Sequence, residues 1–228
     1  MLMKKFFVFL IITCFLATPA LAKSNKWTRM VEDCGTILHD VQEMPDGGIP
    51  EDLMRKTYAI AIFPNTVSAA FGFGGKYGQG IIMARDTKTG KWSPPAIFTI
   101  AGGSIGWQIG GQATDIVLLF MNRRSIDGIL RGKLKLGADA AVAAGPVGRS
   151  AEAATDTRLG GILSYSRNRG LFIGVNLEGT VITQHWDGNE TLYGKSLSAD
   201  DILVDKPPKM PDCADGILDV LKEYPYKS

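Results

Sequence analysis

Apolar residues recur near the start of the chain at Met30, Val31, Cys34, Ile37, Leu38, Val41 and Met44. Their offsets of 0, 1, 4, 7, 8, 11 and 14 trace one face of a helix. Thr28 is positioned to cap it, and Pro45 with Gly47-Gly48 ends it. Cys34 falls within the stripe, so it faces the protein body. Pro50-Glu51-Asp52 opens a second, short helix, with proline and acids in its first turn. From Tyr58 the pattern changes to period two or to unbroken apolar runs, which mark strands. Tyr58–Phe63, Gly80–Arg85, Trp92–Ile100, Ser104–Gly110 and Ala113–Met121 are predicted strands, with a hairpin loop over Asp86–Gly90. Asn122–Leu130 breaks the alternation and predicts a short helix, and Ala138–Ala144 reads as a small-residue strand. Gly161–Ser166, Leu171–Leu177 and Thr180–Trp186, joined by turns at Arg167–Gly170 and Glu178-Gly179, read as an antiparallel meander. Ser198–Asp201 opens a short turn. Ala214, Ile217, Leu218, Leu221 and Tyr224 then form a helical stripe beside Asp212, Asp215, Asp219 and Glu223.

These elements give an α+β fold class: a mostly antiparallel, curved sheet or barrel of about eight strands, with packed N- and C-terminal helices. Glycine supports the curvature. Of 27 glycines, 23 lie between Gly72 and Gly194, interleaved with Ile, Val, Leu, Phe and Trp. Glycine inside apolar strands marks bulges, bends or close backbone approach.

The first 22 residues carry Lys4 and Lys5, an apolar run from Phe6 to Ala17, and the small-x-small ending Ala20-Leu21-Ala22. That order predicts a secretory signal peptide cut after Ala22, and hence an exported protein, periplasmic or secreted. The apolar run is short against the ~20 residues that a bilayer span needs. The remaining 206 residues hold 23 basic and 23 acidic side chains, which argues against a globally basic nucleic-acid binder and confines any anion site to a local patch. No repeat or flexible linker interrupts residues 23–228, so they read as one domain. Two cysteines remain, Cys34 and Cys213. In an oxidising compartment they have one intramolecular pairing, a disulfide closing nearly the whole domain; two buried free thiols are the other possibility.

Several motifs follow in order: Tyr58-Ala-Ile-Ala-Ile-Phe-Pro64, the block Gly72-Phe-Gly-Gly-Lys-Tyr-Gly-Gln-Gly80, Trp92-Ser-Pro-Pro-Ala96, and Gly103-Ser-Ile-Gly-Trp-Gln-Ile-Gly-Gly-Gln112. Ala144-Gly-Pro-Val-Gly-Arg149, Tyr165-Ser166 and Gly170-Leu-Phe-Ile-Gly174 complete the series. In sequence and spacing they resemble the SYLF domain family over roughly residues 30–222. That family includes the lipid- and actin-binding domain of yeast actin-patch proteins, its vertebrate and plant relatives, and many exported bacterial proteins. The resemblance implies a non-enzymatic domain that binds acidic phospholipids, phosphoinositides among them in eukaryotic members. An amphipathic N-terminal helix and basic residues contribute to that binding. It also implies actin binding in some members.

The residues themselves offer sites for such a ligand. Arg123, Arg124, Arg131, Lys133 and Lys135 set five cations against Asp127 within 13 residues. Arginine suits phosphate because its planar fork donates two hydrogen bonds together. Arg149, Arg167 and Arg169 sit on nearby turns and extend the set. A solvated basic face serving solubility is the plainer reading of such a cluster. Trp27 among Lys23, Lys26 and Arg29 suits a membrane interface, against a frayed terminus. Phe71, Phe73 and Tyr77 in the glycine block either contact acyl chains or fill the core of a bulged strand, and the core reading is favoured. Gly102-Gly103-Ser104-Ile105-Gly106 matches a hydrolase nucleophile elbow, and Asp115 and His185 follow in triad order. The residues after Ser104, Trp107-Gln108-Ile109-Gly110-Gly111, are not those of the helix an elbow requires. The glycine block lacks both the dinucleotide spacing and a Lys-Ser/Thr ending. His39 and His185 are far apart without cysteines at ligand spacing, and no metal or cofactor is expected. The expected function is therefore phospholipid binding, with an anionic headgroup on basic side chains, an acyl region on apolar ones and peripheral membrane contact at most. The alternatives are a structural or protein-interaction module of the cell envelope and, last, a serine hydrolase using Ser104.

Overall fold

The computed structural model describes residues 25–44, 48–71, 73–104, 110–148, 161–168 and 171–227. The signal segment, Arg149 and Arg169 lie outside these residues. Helix α1 (Lys26–Gln42) is capped by Asn25 rather than Thr28: Asn25 Oδ1 accepts from the Trp27 and Thr28 amides, each at 2.9 Å. Helices α2 (Glu51–Lys56), α3 (Asp127–Leu130), α4 (Trp186–Tyr193) and α5 (Asp215–Lys222) follow, with a π-helical turn at Asp201–Asp205.

The strands are β1 (Ala59–Phe71), β2 (Phe73–Ala84), β3 (Ala96–Ser104), β4 (Gly110–Phe120), β5 (Lys133–Lys135), β6 (Val142–Ala144), β7 (Ile162–Asn168), β8 (Leu171–Gly174) and β9 (Val181–Gln184). They form one sheet in the order β5-β9-β3-β2-β1-β4-β7-β6, with β8 added beside β7. Every pairing is antiparallel except β6 with β7.

The sheet must curl. Along a flat path of eight strands the outermost pair would stand about 34 Å apart. Those outermost strands, β5 and β6, are joined by only residues 136–141, a link that reaches about 25 Å when fully extended. The link is in fact turned, with the Gly137 amide donating to the Ala140 carbonyl at 2.9 Å. Curling separates the alternating side chains into two cores. Ile60, Ile62, Ile81, Met83, Ile97, Val117, Leu119 and Leu163 lie under α1, α2 and α5. Ala61, Phe63, Ile82, Phe98, Ile116, Leu118 and Phe120 line the inner face with Ile126, Leu134, Ile182 and Ile202. Burial on both faces explains the unbroken apolar runs of β1 and β4.

Pro64 sits inside the long strand β1, where a proline cannot donate to a ladder. A bulge at Pro64-Asn65 resolves this: the register with both β2 and β4 slips there, and Asn65 takes φ 46°. The Asn65 amide donates to Asp115 Oδ1 at 3.0 Å. Gly80 is required opposite the bulge, since an added Cβ would press on the Ile62 carbonyl and lie 2.7 Å from Phe63 Cα.

Several sequence expectations change. The glycine block is strand, making β1 and β2 one long hairpin. β3 ends at Ser104 and β4 begins at Gly110, and the rest of the strand expected over Ser104–Gly110 lies outside the described residues. Of Ala138–Ala144 only Val142–Ala144 is strand, and β5 emerges within the basic cluster. The meander is broken: β9 pairs with β3 and β5 instead of β8. After β9, His185 Nδ1 accepts from the Gly188 amide and starts α4, which Gly194 at φ 68° terminates. The expected Cys34–Cys213 disulfide is absent and both thiols are free. Cys34 instead turns its Sγ toward the Ile62 carbonyl at 3.6 Å, inside the helix–sheet core.

Candidate functional site

Arg123 and Arg124 lie on a short 3₁₀ turn, Arg123–Ile126, that Asn122 caps after β4. Both side chains are exposed, as are Arg131, Lys133 and Lys135. Among the described residues none of these five makes an ion pair with a carboxylate. Arg123 Nη1 donates to the Tyr58 hydroxyl at 3.2 Å, and the nearby Asp139 carboxylate is taken by the Lys135 amide at 2.7 Å. On β5 the burial alternates, so Lys133 and Lys135 point outward on either side of the buried Leu134.

The register carries this outward face across the sheet. Lys135 is opposite Val181, Val181 opposite Ala101, Ala101 opposite Tyr77, Tyr77 opposite Val67, and Val67 opposite Ala113. Paired residues share a face, so these six form one row about 24 Å long on the helix-covered side of the sheet. α1 crosses the same side beyond this row, with Lys26 Nζ on Gln79 Oε1 at 2.6 Å and Cys34 over Ile62. The row itself is uncovered: Val67 is 54% and Tyr77 56% exposed. An apolar strip bounded by Lys135, Lys133 and Lys26 is the result. Lys76, next to Tyr77 but on the opposite face, has its ammonium pKa lowered by burial.

Other expected residues are engaged elsewhere. Arg167 Nε donates to Asp115 at 2.9 Å and Nη1 to Asp40 at 2.7 Å, tying β7 to β4 and α1. Burial lowers the Arg167 pKa, but the two carboxylates outweigh it and the net shift is upward. Trp27 is 9% exposed and meets the His185 ring edge-on at 4.6 Å, so it belongs to the core and not to a membrane contact. Tyr77, favoured as a core residue by the sequence, is on the surface. Phe71 and Phe73 pair at the end of the β1–β2 hairpin; the expectation for their side chains lies outside what the structure describes.

Asp115 and His185 of the expected hydrolase triad are engaged elsewhere, and the side chain of Ser104 lies outside what the structure describes. Asp115 accepts from Arg167 and the Asn65 amide, and His185 Nδ1 accepts from the Gly188 amide. In the neutral ring that leaves the proton on Nε2, the wrong tautomer for a base that takes a proton there. His39 is exposed, as expected. Among the described residues no group of three or more His, Cys, Asp or Glu is arranged to hold a metal.

Sequence reasoning missed the row because it depends on pairing between distant strands. Its trace in the sequence is the alternation Val67, Ala69, Phe71 and Phe73, Gly75, Tyr77, which places one face in common.

Residues 101–224 match the family described as Ysc84, Las17-binding protein actin regulator. The chain is 35% identical to protein YSC84 of Saccharomyces cerevisiae over 185 residues, covering 79% of this chain and 39% of that protein. LAS seventeen-binding protein 3 of the same species is also 35% identical over 185 residues, 79% of this chain and 40% of that protein. SH3 domain-containing YSC84-like protein 1 of Homo sapiens is 33% identical over 185 residues, 80% of this chain and 53% of that protein. The chain thus spans about two fifths to one half of the length of these relatives. No solved structure matches it.

Proposed function

The chain belongs to the Ysc84 (SYLF) family, and from that premise we propose that it is a non-enzymatic module that binds anionic phospholipid surfaces. The observation that carries this reading is the uncovered row from Ala113 through Val67, Tyr77, Ala101 and Val181 to Lys135, with Lys133 and Lys26 beside it. An aromatic and two aliphatic β-branched side chains suit the interfacial region of a bilayer, and the flanking ammonium groups suit its phosphates. Arg123, Arg124 and Arg131 add unpaired positive charge on the segment that leads into β5. The contact proposed at this surface is peripheral; no described helix is long and apolar enough to cross a membrane.

Co-sedimentation with vesicles tests the reading. Binding is expected to rise with anionic lipid content and to fall as salt is raised from about 0.05 M to about 0.5 M. Tyr77→Asp should weaken it by reducing apolar contact, and Lys133→Glu with Lys135→Glu should weaken it mainly at low salt. Equal binding to neutral and anionic vesicles at low salt would remove the headgroup claim.

A second reading, a protein-interaction module, is favoured by the relatives named as Las17-binding proteins. In that case the basic segment meets an acidic partner. Specific protein capture with no lipid enrichment in the purified chain, followed by mass spectrometry of both, would select it over the first.

A further inference from the structure

A cleft of ≈ 500 Å³ opens at the other end of the sheet, around the β2–β3 turn. Ala84 lines it, seven residues up β2 from Tyr77 or roughly 23 Å, so it is separate from the uncovered row. Four cations border the cleft: Arg85, Lys88 and Lys91 in and beside the turn, and Arg123 from the segment after β4. The single carboxylate in its wall, Asp86, is committed to the turn itself, its Oδ1 accepting from the Lys88 amide at 2.8 Å and the Thr89 amide at 3.3 Å. The Arg85 guanidinium is held by the Arg55 and Tyr224 carbonyls. The Tyr58 hydroxyl takes one N–H of Arg123 at 3.2 Å, orienting the guanidinium while its other donors are left for a ligand. The π-helical turn contributes Leu203 and Val204 to the lining, together with Pro94 and Pro207; Val204 is 40% exposed. Single-turn π-helical segments often accompany functional sites. A lining that combines these cations with aliphatic surface matches a molecule with an anionic head and a short apolar tail.

We propose that this cleft is a second ligand site, which takes a small organic anion of the phosphate-monoester type with its alkyl part against Leu203 and Val204. It shares only Arg123 with the vesicle-binding reading and uses neither Tyr77 nor the β5 lysines, so the variants below leave that surface intact.

Calorimetric titration of the full chain with n-hexyl phosphate should give saturable binding. Inorganic phosphate, which lacks the alkyl part, should bind about tenfold more weakly or worse. Lys88→Glu with Lys91→Glu should cost about tenfold or more in affinity for n-hexyl phosphate, and Val204→Asp should also weaken it. All three positions are exposed, so thermal melting of the variants should match the parent. Vesicle binding by the same variants is expected to be unchanged. The proposal is overturned if n-hexyl phosphate shows no saturable binding, if the variants bind it undiminished, or if inorganic phosphate binds equally well. Parallel loss of vesicle binding in the lysine variant would likewise overturn it by making the two surfaces one site.

Discussion

Arg85 is only 2% exposed and makes no ion pair among the described residues. Its partners are two carbonyls where helices end: Nη1 donates to Arg55 at 3.1 Å near the end of α2, and Nη2 to Tyr224 at 3.0 Å just past α5. These are sites of partial negative charge with no intrahelical donor. Trp92 lies against the guanidinium at 4.2 Å. Burial brings the Arg85 pKa down to about 10, still charged at neutral pH. Arg85→Met should cost about 1–3 kcal/mol by taking the donor from the buried Tyr224 carbonyl, while the Arg55 carbonyl keeps the Lys227 amide at 3.0 Å; an unchanged denaturant midpoint would contradict this. Cys34 titrates in the opposite sense. Burial raises its thiol well above the ordinary 9.0, with Asp33 adding to the effect. The folded chain keeps that proton where the unfolded chain releases it, so this contribution is complete below about pH 9 and is lost as pH rises beyond. The urea midpoint should therefore fall between about pH 8 and about pH 10, and Cys34→Ala should fall less steeply. The burial of Cys34 was legible in the helical stripe; the role of Arg85 was not. Arg85 appeared as the end of a predicted strand, and no pattern announces that two helix ends meet there.

Elements set by local periodicity were legible; those set by distant pairing were not. α1, α2 and α5 lie where their local patterns predicted, because an apolar helical face is written in adjacent turns, though α1 is capped by Asn25 and not by the expected Thr28. The β1–β2 hairpin was underestimated because Pro64 and the glycines argue locally against strand. The bulge absorbs the proline, and Gly78 and Gly80 are demanded by crowding against Thr66, Ile62 and Phe63 rather than by turns. Gly80→Ala is the sharpest test. With Ile62 and Phe63 backbone in the way, the hairpin must shift, at an expected cost of about 2–4 kcal/mol. A variant as stable as the parent in chemical denaturation would show that the bulge adapts freely. β9 was read as a neighbour of β8 from a turn signal at Glu178-Gly179. That turn is real, with Gly179 at φ 77°, but the chain leaves it toward β3.

For the molecule as a whole, the α+β class, the curvature and the family were readable from the ordered motifs and the glycine distribution. The composition of the candidate site was readable too, as a basic run and a set of aromatics. Its arrangement was not: which cations are neutralised, which aromatics are inside and which strands bring Tyr77 and Lys135 onto one row all follow from sheet order. Arg167 was named for its charge, yet Asp40 and Asp115 come from elements 127 and 52 residues away.

The short link between β5 and β6 makes the two margins of the sheet a single thermodynamic unit. Each margin is a strand of only three residues with one bonded side. If either detaches, the other loses the tether that holds it in place. Amide hydrogen exchange should therefore release Lys133–Lys135 and Val142–Ala144 together, ahead of β1 and β4 at the centre. Independent exchange rates at the two margins would show that the hoop opens one side at a time.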